Sequence, residues 1–303
     1  VKREYRARKK SSKNKVYRVK STLVSMVCFI SFQAIFFANS IDQTLFLNAG
    51  QAYCVDGHQM AFMAFNSTSV FEQRNVQLSV EVGDTLSLSV INNDTIVHGF
   101  DIKGMIGLRD TILPGDTAQF IFSSSNLGLF IYYDHLNYPN HAYMGLSGII
   151  AVGINEQSFF WNIKDHQSEW NDSLAYGGVV DWLDYYPDYF TINGRSNPNI
   201  NGDTTARVVG GIGDTILIFM ANTGQAEHSI HFHGYHCEIL YSTISTSHIG
   251  RIKDTFPLKR MEGYVLRLVP DQVGEYPVHD HNLLSITGGG LYPFGMFLTI
   301  LIQ

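Results

Sequence analysis

Short stretches in which apolar and polar residues alternate recur along most of this chain, separated by clusters of Gly, Asn and Asp. Val80 to Val90 has this period of two, as do the residues adjoining Phe219 and the stretch Val265–Val269, and each predicts a half-buried antiparallel strand. Helical periodicity is scarce. The pattern predicts an all-β protein, with strands stacked as sandwiches so that each buries its apolar side.

The features come twice and in the same order. Gly83-Asp84-Thr85, an apolar strand and Val97-His98-Gly99-Phe100 are matched by Gly213-Asp214-Thr215, an apolar strand and His231-Phe232-His233-Gly234. Later, Gly128-Leu129-Phe130-Ile131-Tyr132-Tyr133-Asp134-His135 is matched by Gly274-Glu275-Tyr276-Pro277-Val278-His279-Asp280-His281. A repeat of this length is a duplicated domain rather than a solenoid. The expected organisation is a basic, then apolar N-terminus over residues 1–40, a first domain over 41–155, and a connection with a second domain over 156–303. The connection, between Ile154 and Pro198, carries Trp161, Trp170 and Trp182 and is too aromatic for a flexible linker. It is expected to pack on both domains.

Length and charge narrow the choices. A chain of 303 residues has room for two buried cores. Residues 1–20 hold 10 of the 21 Lys and Arg and one of the 27 Asp and Glu, leaving 11 basic against 26 acidic residues in the remainder. An acidic body argues against a nucleic-acid partner, which needs a basic face. The basic start runs into the apolar stretch Thr22–Ala38, the form of an export signal with Ala38-Asn39-Ser40 as its cleavage site, or of an uncleaved membrane anchor. Either reading places the acidic body outside the cytoplasm, in a periplasm or the extracellular space, with membrane contact only through the N-terminal segment. Cys28 lies in that stretch. Cys54 and Cys237 remain, as a disulfide or as two separate buried thiols.

The histidines carry the candidate chemistry. Residues two apart on a strand point to one face about 7 Å apart, so His231 and His233 project together, as do His279 and His281. With His98 and His135 at the corresponding places of the other repeat, six imidazoles are expected to converge. Such a set suits copper or zinc. His228 stands three before His231, faces away from it, and is either structural or part of a second site. His58, His141, His166, His236 and His248 lack partners at useful spacing and are expected at the surface. Cys237 would share the face of His233 only if the strand ran straight through Gly234.

At these residues the chain resembles the two-domain multicopper oxidases (small laccases) and, more distantly, the copper nitrite reductases. Tyr189-Phe190-Thr191-Ile192-Asn193-Gly194-Arg195 and Asp254-Thr255-Phe256-Pro257-Leu258 resemble the family's entry into its last domain and the segment before its final strands. The resemblance implies two cupredoxin-like Greek-key β-sandwich domains with a copper cluster held by four His-x-His pairs. Matched to that pattern, the pairs read Ile96-Val97-His98, Tyr133-Asp134-His135, His231-Phe232-His233 and His279-Asp280-His281, so that six of eight ligands survive. Tyr133 stands where one lost ligand would be, and Asp101 resembles an outer-shell acid that handles protons. His228 matches the first imidazole of a blue copper site. Asp280 replaces that site's Cys, Ser285 its second His, and Pro293 its axial ligand.

The resemblance thus implies an exported copper-binding oxidoreductase without a blue centre, whose substrate or oxygen reaches the coppers directly. It also implies a homotrimer in which each cluster lies between the first domain of one subunit and the last domain of the next. Two alternatives stay open: a non-enzymatic protein that sequesters or delivers copper or zinc, and a zinc hydrolase built on His135, His233 and His279.

Overall fold

The computed structural model describes residues 38–303. The first part of this region supplies strands β1 (Ser40–Tyr53), β2 (Gln59–Asn66), β3 (Leu78–Val80), β4 (Thr85–Asn92), β5 (His98–Ile102), β6 (Arg109–Ile112), β7 (Thr117–Ser123), β8 (Gly128–Tyr133), the one-turn helix α1 (Asn140–Tyr143) and β9 (Ser147–Val152). They form two sheets, ordered β2-β1-β4-β7 and β3-β9-β8-β5-β6. The second part supplies β10 (Ser158–His166), helix α2 (Ser168–Ala175), β11 (Tyr189–Ile192), β12 (Val209–Gly210), β13 (Ile216–Asn222), β14 (His228–Phe232), β15 (Cys237–Ser242), β16 (Ile252–Lys253), β17 (Thr255–Leu258), β18 (Glu262–Leu268), β19 (Gly274–Asp280) and β20 (Phe297–Ile302). Their sheets are ordered β11-β10-β13-β18-β15-β16 and β12-β20-β19-β14-β17. The all-β, two-sandwich expectation therefore holds.

Burial explains which strands alternate. In β4 the alternation is complete, with Leu86, Leu88 and Val90 facing the core of the first sandwich beside Phe65, Phe100 and Phe122. In β9 and β13, by contrast, every residue is buried. Leu129, Ile131 and Ile149 of one sandwich pack against Leu217, Phe219 and Val265 of the other, so these strands have apolar neighbours on both faces. The alternation expected beside Phe219 is accordingly replaced by a continuous apolar run.

The aromatic connection divides between the sandwiches. Trp161 already lies on a strand, β10, and is buried in the second core with its indole N–H donating to the Ala206 carbonyl at 2.7 Å. Trp170, Trp182 and Tyr185 pack against the first core. Cys54 and Cys237 are both free thiols, Cys237 inside the second core, so the disulfide alternative is not realised. Among the described residues no helix is long and apolar enough to cross a membrane. The apolar stretch that suggests a signal or anchor lies, except for Ala38, outside them.

Candidate metal centre

Two strands of the second sandwich present the four paired histidines. β14 pairs with β19 in a register that sets His231 opposite His279 and Ile230 opposite Asp280. Ile230, Phe232, Val278 and Asp280 point into the fold, which leaves His231, His233, His279 and His281 together on the outer face. Ring centroids are 4.7 Å apart for His231 and His233, 5.1 Å for His233 and His279, and 5.5 Å for His231 and His281. Gly234, at φ +76°, ends this face: a Cβ there would sit 2.5 Å from the Tyr276 ring. The chain turns at this point, and Cys237 leaves for the other sheet and the core, away from His233.

Hydrogen bonds set the orientation of these rings. His279 Nδ1 lies 2.7 Å from the Asp280 carbonyl, which can only accept, so Nδ1 carries the proton and Nε2 presents a lone pair. That Nε2 faces His233 Nε2 at 3.0 Å. His231 Nδ1 is held by Thr255 Oγ1 at 2.9 Å, which in turn donates to Asp254. Burial, and then the neighbouring imidazoles His231, His279 and His281, push the pKa of His233 down. Imidazoles that converge in this way are a donor set suited to copper or zinc.

The first sandwich does not repeat this face. β5 pairs with β8 so that Asp101 lies opposite Tyr133. Aligning this register with that of β14 and β19 makes His98 equivalent to His228, Asp134 to Asp280, and His135 to His281. The places of His231, His233 and His279 are then taken by Asp101, Lys103 and Tyr133. The sequence match of His98 with His233 is thus out of register. The two share a His-Gly dipeptide, but equivalence is fixed by cross-strand pairing.

Each of these residues has a definite setting. Asp101 receives two bonds from Arg109, at 2.9 and 2.7 Å, and one from the Tyr133 hydroxyl at 3.2 Å. Lys103 Nζ donates to the Met261 carbonyl of the second sandwich. His135 packs over Gly99, where a Cβ would come within 2.6 Å of its Nδ1, and that buried Nδ1 has no hydrogen-bond partner in the fold. An unpartnered imidazole nitrogen in a space only glycine permits fits a metal ligand.

His98 and His228 instead lie at the centre of two matching buried networks. His98 places Nδ1 2.8 Å from Asp134 Oδ2 and Nε2 3.1 Å from Asp94 Oδ2. His228 places Nδ1 2.6 Å from Asp280 Oδ2 and Nε2 3.0 Å from Asp165 Oδ2. In both networks the second carboxylate oxygen accepts backbone N–H bonds, from Gly99 and Leu136 in one and from Ser229 and Asn282 in the other. Burial alone would lower the pKa of each imidazole. The paired carboxylates outweigh it, raising His98 and pushing His228 up to about 9. Asp280 thus fills the expected thiolate position as the counter-ion of a buried imidazolium, and His98 is directed into this network rather than toward the outer histidines. Ser285 is buried with its hydroxyl unpartnered.

His141, expected at the surface without a partner, is instead drawn into the first of these networks. It stands on α1 with Nδ1 3.0 Å from Asp134 Oδ2 and its ring centroid 4.9 Å from that of His98. A spacing of seven from Asp134 through a one-turn helix has no periodic signature.

Residues 181–293 match the family model for multicopper oxidases. The fold is similar to that of a blue copper oxidase from Nitrosomonas europaea at 23% identity, covering 87% of this chain and 86% of that one with a TM-score of 0.73. It is also similar to the multicopper oxidase mgLAC at 20% identity, 87% and 86% coverage and a TM-score of 0.71. A copper nitrite reductase from Nitrosomonas europaea gives 18%, 88% and 94%, and 0.69. A comparison with curated proteins finds no significant match. The cupredoxin-like two-domain architecture is common to these structures and this chain.

Proposed function

We propose that this cupredoxin-like chain is an exported copper-binding oxidoreductase whose metal site is the outer histidine face of the second sandwich, without a blue copper centre. The observation that carries the reading is the convergence of His231, His233, His279 and His281, with the Nε2 atoms of His233 and His279 3.0 Å apart and the His279 lone pair turned inward. Bound copper would supply one-electron redox chemistry, and the donor set is also compatible with zinc. His279 is held in its tautomer by the Asp280 carbonyl, and His231 by Thr255.

His233 and His281 are exposed on the single chain, so the face is open on one side. This supports a homotrimer in which a neighbouring subunit closes it with the first-sandwich group that holds His135, whose Nδ1 lacks a partner. Asp101, clamped by Arg109 and bonded by Tyr133, would then be the acid nearest that closed space and the group that holds a proton for it. The absence of a Cys at position 280 supports direct access of a small-molecule substrate or oxygen to the site. Sequestration or delivery of metal without turnover is the alternative that the same donor set serves.

The test is metal content per chain and oxygen consumption with phenolic or cuprous substrates, on wild type and His279→Ala. The reading expects copper and turnover in the wild type and loss of both in the variant. Metal without turnover selects sequestration, and metal content unchanged in His279→Ala overturns the site.

A further inference from the structure

We propose that Cys54, Met60 and His166 form a separate, mononuclear site for a soft monovalent cation, Cu(I), beneath the tip of the β1–β2 hairpin and away from the outer histidine face. The three residues border one cavity of about 50 Å³ between the hairpin and the second sandwich. His166 is fully buried there, and neither of its ring nitrogens has a hydrogen-bond partner in the fold. The Thr191 hydroxyl, on the same cavity, is buried and unpartnered as well. Buried polar atoms are almost always paired, so orphans grouped around one space mark a place for a ligand.

Register and packing bring the donors together. Ala52 lies opposite Met60 in the β1–β2 pair, and both are buried while Tyr53 is exposed. Cys54, the next inward position, packs against the same apolar group as Met60. Cys54 and Met60 are thus diagonal neighbours about 7–8 Å apart, a span that a long, unbranched thioether crosses. His166 enters from β10 on the opposite wall, its ring centroid 5.2 Å from that of Phe62, which follows Met60 on the same face. The tip is pinned over the cavity. The Tyr189 hydroxyl donates to Asp56 Oδ2 at 2.8 Å, and Gln73 bonds both the Tyr53 backbone and the Gly194 carbonyl.

The donor set decides the ion. A thiolate and a thioether select Cu(I), and an imidazole completes a three-coordinate site for it. Burial and then the Lys164 charge lower the His166 pKa to about 4, with Asp165 and Asn171 acting the other way, so the ring is neutral and offers a lone pair. Asn171 Nδ2 donates to the Ala61 carbonyl at 2.9 Å, and its own Oδ1 is unpartnered, an acceptor available to the ring nitrogen that does not bind metal. Burial, and then the charges of Asp56, Asp188 and Asp172, push the Cys54 pKa up to about 12, so the free thiol keeps its proton. The same carboxylates favour exchange of that proton for a cation. Binding forms two copper–sulfur bonds and one copper–nitrogen bond and releases the Cys54 proton to water, and copper stays Cu(I).

The experiment is anaerobic titration of the full chain with Cu(I) against a chromophoric Cu(I) chelator, with alkylation of Cys54 read by peptide mass in the presence and absence of Cu(I) or Zn(II). Wild type, Cys54→Ser, Met60→Leu, His166→Leu and His279→Ala are compared. The proposal expects the wild type to take from the chelator a Cu(I) equivalent that His279→Ala also takes, and Cu(I) but not Zn(II) to shield Cys54. Cys54→Ser and His166→Leu should weaken this equivalent by at least the roughly 10–100-fold that loss of a group supporting a ligand costs, and Met60→Leu by roughly tenfold. Unchanged Cu(I) affinity in Cys54→Ser, loss of the equivalent in His279→Ala, or equal alkylation of Cys54 with and without Cu(I) overturns the site. Equal shielding by Zn(II) overturns its assignment to a soft cation. Met60→Leu conserves volume, so it and Cys54→Ser carry the decision where His166→Leu does not fold. Weaker Cu(I) binding in Met60→Leu at unchanged thermal stability is a result that a packing role alone does not give.

Discussion

Asp280 accepts a hydrogen bond from His228 Nδ1 at 2.6 Å, and both side chains are fully buried. The carboxylate at this position is therefore part of a folded ionic network. Removing one member of a buried pair leaves the other charge uncompensated, at a cost of about 3–5 kcal/mol. Asp280→Ala should lose stability on that scale in denaturant unfolding, and Asp280→Asn, which keeps one acceptor, should lose less. Equal stability in all three proteins would show that the pair is dispensable.

Gly99 is the second place where one substitution separates fold from site. An alanine Cβ would approach His135 Nδ1 to 2.6 Å and the Leu136 amide to 2.9 Å, so either the ring or the backbone must shift. Gly99→Ala should cost about 1–3 kcal/mol, in the range of overpacking, and should weaken metal retention at the outer face in the assembled protein. Unchanged metal content would remove His135 from that site.

The two cases differ in how far the sequence disclosed them. The four outer histidines were legible because period-two spacing on two strands is a local property, and β14 and β19 carry it intact. The equivalence of His98 with His228 was not, because the register of Asp101 opposite Tyr133 is a tertiary fact and the His-Gly dipeptides suggest a match shifted by five residues. Asp94 and His141 were invisible for the same reason: each reaches its network through a turn or a one-turn helix, where spacing along the chain says nothing about direction. The residues beside Phe219 read as a half-buried strand, whereas β13 is buried along its whole length, a consequence of the second sandwich packing on the first.

Lys164 and His166 make stability depend on pH in a predictable direction. Burial pushes Lys164 down to about 7 from 10.5, and burial followed by the Lys164 charge pushes His166 down to about 4 from 6.5. Both are deprotonated in the fold at pH values where the unfolded chain still binds a proton, so stability rises with pH from about 4 to 6.5 for His166 and from about 7 to 10.5 for Lys164. Correspondingly, stability should fall as pH drops through 6.5 toward 4. Lys164→Met conserves volume, and the Lys164 partner Ser147 Oγ also bonds the Ala142 carbonyl. The variant should be more stable than wild type at pH 7 by about 1–3 kcal/mol and should lose the rise above neutrality. Unfolding curves across the pH range check both statements, and a wild type whose stability falls between pH 7 and 10 would contradict them.

A thiolate placed in each network should give opposite results. A blue copper centre needs two imidazoles and a thiolate. Asp134→Cys would put sulfur next to His98 and His141, whose nitrogens already meet at the Asp134 oxygen. Asp280→Cys would put it next to His228 alone, since no second imidazole among the described residues bonds Asp280. Copper-loaded Asp134→Cys is therefore expected to gain the intense visible absorption of a copper–thiolate bond, while Asp280→Cys remains nearly colourless. Colour in the second variant and none in the first would contradict the expectation, since only Asp134 has two imidazoles bonded to it.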